Sequence, residues 1–370
     1  MSSNTASSPR GWLPDLPLWT ILAPVFAGIV MAAAGFDLRL GGVFVAVIAM
    51  SLAASVFAAV HHAEVVAHRI GEPYGTLVLA LAVTLIEVAL IVSLMIAGGT
   101  EAAALARDTV FAAVMIILNG IIGLCLLVGG LKHSQQTFSL DGVSAALVAL
   151  AAIVILALVF PNYTVTTPGP FYSPSQLMLI AVVSLAIYGA FVFAQTIGHR
   201  RIFVHDLAEE QQQHASRPGN SVTAASTILL LACLAAVVLL AKKLAPSLET
   251  AVSHIGAPNA VVGVIIAAIV LLPEGLAAVR AARANRLQTS LNLALGSALA
   301  SIGLTIPAVS VLSLYMQTRL VLGIDTKSTV LLILSLFITA IALRTGRTIV
   351  LHGIVLLVIF VVYLFTTVIP

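Results

Sequence analysis

Eleven apolar runs follow one another along the chain, with polar breaks between them. Crossing the hydrocarbon core of a bilayer as a helix takes about 20 apolar residues. Reading the runs between breaks places segments at 17–35, 41–60, 75–97, 109–131, 143–160, 176–197, 221–244, 259–280, 289–316, 328–343 and 349–369. Only 8% of the residues are charged, against about 25% in a soluble domain. Such a chain has too little polar surface to cover itself in water, so its solvent is lipid. The expected fold is an all-α integral membrane protein of about eleven transmembrane helices.

The first run follows Arg10 and ends in Ala32-Ala33-Ala34, a faint signal-peptide pattern. At about 18 residues it is longer than a usual signal core, and it reads as a retained helix. The two cysteines, Cys125 and Cys233, lie inside apolar runs and suggest neither a disulfide framework nor a thiolate metal site. The net charge of +3 comes from the breaks and reads as membrane topology, with no nucleic-acid partner. Of the 17 Lys and Arg, eleven fall on one side of the expected topology, including Arg10, Arg69, Arg283 and Arg347. The richer side is the cytoplasmic one. That places the N-terminus and the central break inside and the C-terminus outside, in a bacterial inner membrane. The widest break between spans, residues 198–220, is the natural linker between two halves.

Those halves resemble each other. Glu64-Val-Val-Ala-His-Arg-Ile-Gly-Glu-Pro73 is matched by Glu249-Thr-Ala-Val-Ser-His-Ile-Gly-Ala-Pro258. Glu, Ile, Gly and Pro recur at one offset: 249−64, 255−70, 256−71 and 258−73 are all 185. An apolar helix with a single acid follows each copy, Glu87 in the first and Glu274 in the second, at offset 187. The next helix matches at offset 180 through Thr109/Thr289, Ile122/Ile302, Gly123/Gly303 and Leu124/Leu304. Apolar identities are cheap in this composition, but an aligned charge, glycine and proline are not. Five helices separate the copies, so the second is inverted in the membrane. The expected organisation is an N-terminal segment with an extra helix over 1–40, a five-helix repeat over 41–197, the linker 198–220, and an inverted five-helix repeat over 221–370. Inverted repeats with sites near the midplane are the plan of many secondary transporters, in which one repeat rocks against the other.

Glu87 sits near the middle of its run, where a charge costs several kcal/mol. Glu274 holds the matching place directly after Pro273, and proline frees a backbone carbonyl of its own helix. Freed carbonyls at membrane depth are tolerated where they line a cavity or bind an ion. Two carboxylates meeting near the pseudo-two-fold axis would form a hard oxygen site for calcium or a similar cation. Low dielectric disfavours their charged form. An empty site would therefore hold protons, and a cation would displace them. Glu64 and Glu249 lie near helix ends, either as solvated acids or as a gate or proton entry. His62 and His68 flank Glu64, as interfacial residues or as a proton relay. Their spacing is not that of a zinc protease. Ser297, Ser301 and Thr305 share one helix face, for close packing or for the ion path. Asn119, mid-helix in the matching span, needs partners wherever it is buried and is a candidate for the path. The linker acids Asp206, Glu209 and Glu210 either sense cations or are simply solvated.

The stretch His61-His62-Ala63-Glu64-Val65-Val66-Ala67-His68-Arg69-Ile70-Gly71-Glu72-Pro73-Tyr74-Gly75-Thr76, continuing to Thr84-Leu85-Ile86-Glu87-Val88, resembles the ChaA-type bacterial calcium/proton antiporters. So do Leu271-Leu272-Pro273-Glu274-Gly275-Leu276 and Leu295-Gly296-Ser297-Ala298. These proteins belong to the cation/proton exchanger (CAX) family of the calcium/cation antiporter superfamily, and the resemblance covers essentially the whole chain. It implies proton-driven export of calcium, with sodium and potassium exchange in ChaA-type members, and it assigns the paired central acids to Glu87 and Glu274. It also allows a homo-oligomer. Many members carry Gly-Asn-x-x-Glu in both repeats. This chain has Val83-Thr84-Leu85-Ile86-Glu87 and Val270-Leu271-Leu272-Pro273-Glu274 instead.

The expected function is a secondary active cation/proton antiporter working by alternating access, with no resident cofactor. Calcium is the first choice of ion, and sodium or potassium the second. A passive cation channel is the rival transport class. An intramembrane enzyme is not expected, because no catalytic Asp pair, zinc triad or Ser/His arrangement stands in the sequence.

Overall fold

A computed structural model describes residues 16–35, 41–71, 74–98, 101–198, 218–254 and 256–369. The linker acids Asp206, Glu209 and Glu210 lie outside these residues. Eleven helices are present among them: α1 Leu18–Gly35, α2 Gly41–Ile70, α3 Tyr74–Gly98, α4 Leu105–His133, α5 Leu140–Tyr163 and α6 Pro174–Thr196, then α7 Asn220–His254, α8 Ala260–Arg283, α9 Leu287–Met316, α10 Thr326–Leu343 and α11 Val350–Val368. Ten of them, α2 to α11, are long and apolar enough to cross a membrane. The apolar stretch of α1, Leu18–Ala33, is shorter. The molecule is therefore an all-α, multi-pass membrane protein.

Two helices run well past their apolar runs. Helix α2 continues through His61, His62 and Glu64 to Ile70, and α7 continues past Leu244 through Pro246 and Ser247 to His254. Hydropathy marks where lipid stops, whereas a helix stops where its backbone is capped. The repeated glycines supply the caps. Gly71 (φ 78°) ends α2 and Gly256 (φ 69°) follows α7, both left-handed, a conformation that costs little only for glycine. After α7 the N–H of Ala257 reaches back to the carbonyl of Val252 at 3.1 Å. After α2 the N–H of Gly71 bonds the carbonyl of Ala67 at 2.9 Å. The Ile-Gly-x-Pro repeat is thus a pair of equivalent helix stops.

The chain divides into two compact units. The first holds α1, α2, the start of α3 as far as Leu79, and α7 as far as Leu240. In it α1 packs along α2, burying Thr20, Ala23, Ala27 and Val30 at helical spacing. The second holds the rest. Its core is built on α4 and α9: α4 lies against α8 and α11, and α9 against α6, α8 and α5. Gly123 of α4 faces Leu356 and Leu357 of α11, where a Cβ would come within 3.1 Å, so small residues set the helix spacing. Wide turns interrupt the regular helices at Ile116–Ile121 in α4 and Ile155–Val159 in α5, and a third, Ala194–Gly198, closes α6. A two-residue ribbon pairs Gln136 with Thr348 and Thr137 with Arg347, joining the α4–α5 and α10–α11 connections.

Candidate functional site

Glu87 lies near the middle of α3 and is only 4% exposed. Its apolar neighbours Ile86, Leu90, Ile91 and Leu94 are buried with it. A carboxylate there needs a donor, and α9 provides one: the Ser301 hydroxyl donates to Glu87 Oε1 at 2.5 Å. Ser301 is 2% exposed, so the pair is shut away from solvent. Thr84, one turn before Glu87, is buried too, but its hydroxyl is spent on the Ala80 carbonyl of its own helix at 2.9 Å. The hydroxyl in contact with the acid therefore comes from across the core and not from the neighbouring turn.

Glu274 is half-buried on α8, with Pro273 inside the same helix. Proline has no N–H to give to residue 269, so that carbonyl loses its helical donor. The following residue, Gly275, packs against α4: a Cβ there would meet Ile121 at 3.3 Å. Ile121 ends the wide turn Ile116–Ile121, which also holds Asn119. Asn119 is fully buried; its amide donates to Ser335 Oγ of α10 at 2.9 Å and to the Met115 carbonyl at 3.3 Å. Its carbonyl oxygen has no hydrogen-bond partner among the described residues. Thr305, one turn after Ser301, is buried with its hydroxyl likewise unpartnered among them, and Ser297 is half-buried.

The second unit thus brings Glu87 and Ser301 into contact, and sets α8, which carries Glu274, against the α4 turn of Asn119. Carboxylate, hydroxyl and amide oxygens are the donors that hard cations take. Among the described residues no three His, Cys, Asp or Glu come together as a metal cluster. A cation bound here would rest on two carboxylates at most, completed by neutral oxygens. The two halves are unequal at the donor to the acid. At offset 180 the counterpart of Ser301 is Ile121, which has no hydroxyl to offer.

Other residues singled out from sequence lie elsewhere. Glu64 and His68 are exposed on α2. Glu249 belongs to the backbone of α7, with its side chain outside the described residues. His62 stands within α2 rather than in a loop, fully buried, with Nε2 3.2 Å from the carbonyl of Thr20. One group escaped the sequence reading. Arg107, Asp108, Asp325 and Lys327 line a cleft of the second unit together with Phe111 and Tyr363. Arg107 pairs with Asp108 at 2.7 Å and donates to the Gly323 carbonyl at 3.1 Å. The available signal was position: Asp108 falls in the first turn of α4, and Asp325 caps α10 by accepting from the N–H of Ser328.

The sequence profile of the sodium/calcium exchanger protein family matches residues 39–197 and again 225–369. The Sinorhizobium fredii protein y4hA is 48% identical over 360 residues, covering 96% of this chain and 97% of that one. The sodium-potassium/proton antiporter ChaA of Escherichia coli is 37% identical over 320 residues, covering 86% of each chain. Among solved structures, native YfkE superposes with a TM-score of 0.71 at 20% identity, covering 95% of this chain and all of its own.

Proposed function

The chain belongs to the sodium/calcium exchanger protein family, as a member of its cation/proton exchanger type, and from that premise we propose that it exchanges a cation for protons at Glu87 and Glu274. It is an ion transporter and not an enzyme. The observation that carries the site is the contact of Glu87 with Ser301, a buried carboxylate at mid-helix held by a donor from another helix. A group so placed is costly, and its use is to be exchanged: the site holds protons or a cation, and never neither. Two protons leave as one calcium binds, so calcium exchange moves no net charge. Cations and protons are cargo, and no resident cofactor takes part.

The two stretches that match the family profile support two halves joined by the linker 198–220, and the odd number of helices between the repeated motifs supports their opposite orientations. The distribution of Lys and Arg supports a cytoplasmic N-terminus and a periplasmic C-terminus in a bacterial inner membrane. Calcium is the first choice of ion, on the hard oxygen donors. Sodium or potassium is the second reading, favoured by the likeness to a sodium-potassium/proton antiporter.

Purified protein in liposomes with an imposed pH gradient tests the proposal. Calcium, sodium and potassium, added separately, should rank by how far each is driven uphill at the expense of the gradient, with saturable rates. Flux that only runs downhill and ignores the pH gradient would mean a channel.

A further inference from the structure

The first unit contains polar groups for which the glutamate site has no use. Ser51, Ser55 and His62 all lie on α2 and are at most 1% exposed. Successive helix residues turn by about 100°, so these three fall within roughly 40° of one another, along about 16 Å of axis. Between Ser55 and His62 the same strip carries Ala58, which adds no bulk. Ser51 Oγ, Ser55 Oγ and His62 Nδ1 have no hydrogen-bond partner among the described residues. A helical serine has an easy partner in the carbonyl one turn back. Two on one face that decline it, in a buried position, point to another acceptor or donor.

The tautomer of His62 follows from its one bond. Its Nε2 lies 3.2 Å from the Thr20 carbonyl of α1. A carbonyl only accepts, so Nε2 carries the hydrogen, and the neutral ring keeps its lone pair on Nδ1. The local sequence of α1 leaves that carbonyl available, since Pro24, four residues on, has no N–H to give it. His62 is therefore held from one side by α1 with a vacant proton acceptor on the other. Among the described residues, the remaining titratable groups of the unit leave this arrangement intact. His61 is the ring neighbour, 5.7 Å between centroids, and Glu64, His68 and Tyr74 are exposed. Arg69 at the end of α2 bonds the Pro218 carbonyl and Asn220. Helix α1 has no titratable side chain, and α7 as far as Leu240 has only Cys233.

We propose that the Ser51–Ser55–His62 strip of α2 holds a file of water, and that His62 Nδ1 is a proton-carrying site fed by it, separate from the paired glutamates. Serine hydroxyls and water both donate and accept, so a proton entering the file is passed from oxygen to oxygen. It is taken by Nδ1 to give the imidazolium, which gives it back to the file in the opposite half of the transport cycle, when the file faces the other side. This rests on the antiport reading above and assigns the route of its protons.

Two fluxes measured on one preparation test it: proton-coupled cation flux, and isotope self-exchange of the same cation at equal pH on both sides, which needs no proton transfer. In His62→Gln the amide still donates to the Thr20 carbonyl but carries no proton. Proton-coupled flux should fall about tenfold or more, with self-exchange nearly unchanged. Ser51→Ala/Ser55→Ala should show the same split, less deeply. Equal loss of both fluxes, or loss of neither, in folded His62→Gln protein would overturn the proposal. So would a serine double variant that is more heat-stable with unchanged flux, the behaviour of a dry strip relieved of unmet hydroxyls. Wild-type protein that self-exchanges cations but moves no protons would overturn the antiport reading itself.

Discussion

At the scale of the residue, a buried carboxylate requires a donor or a cation. Among the described residues Glu87 has one hydrogen bond, from Ser301. Ser301→Ala leaves the acid without that donor, and the protein should lose about 1–3 kcal/mol of stability. Its cation affinity should also fall, measurable by thermal unfolding with and without ion. Glu87→Gln should behave otherwise. The amide keeps a bond with Ser301 and the fold, while transport falls on the order of 100-fold, because an amide neither ionises nor binds a hard cation well. In the proposed exchange, protons and cation compete for the same oxygens. The KM for the cation should therefore rise as pH falls, and a plot of log KM against pH should approach a slope of about −2 for calcium at the acid end. A slope near zero would show that proton and cation do not share the site.

At the scale of the element, the helix stops are the clearest case of sequence dictating geometry. Gly71 and Gly256 sit at the same place in the two repeats, and both are left-handed. Replacing either by alanine should cost about 1–2 kcal/mol, and by similar amounts, since both hold the same left-handed backbone. A large cost at one site and none at the other, by thermal or denaturant unfolding, would contradict their equivalence. The glycine and proline of the repeat were readable because turns are local. The lengths of α2 and α7 were not, because polar residues beyond the lipid continue a helix as well as apolar ones do. His62 fell outside the apolar run 41–60 for that reason. The partner of Glu87 was only half legible: Ser297, Ser301 and Thr305 share a face by spacing, but only packing selects Ser301 as the donor. Asp108 and Asp325 stand 217 residues apart in the numbering, and nothing in local pattern joins them to one cleft.

At the scale of the whole molecule, composition and repetition were enough to identify a multi-pass membrane protein with two related halves. In lipid the backbone must satisfy itself, which leaves few alternatives to helices. The inequality between halves is what the repeat conceals: the acid of the first half meets a hydroxyl at the position where the second offers Ile121. If the two acids exchange two protons for one calcium, as proposed, the cycle is electroneutral. Clamping the membrane potential at different values with a potassium ionophore should therefore leave calcium/proton exchange at one rate. A rate that follows the potential would require a different stoichiometry.

The most direct measurement uses everted membrane vesicles with an imposed pH gradient and follows its dissipation on adding each cation to wild type, Glu87→Gln and Glu274→Gln. The account predicts cation-dependent dissipation in the wild type and its loss in both variants. Full activity in either variant would show that glutamate to be structural and would contradict the paired-acid mechanism.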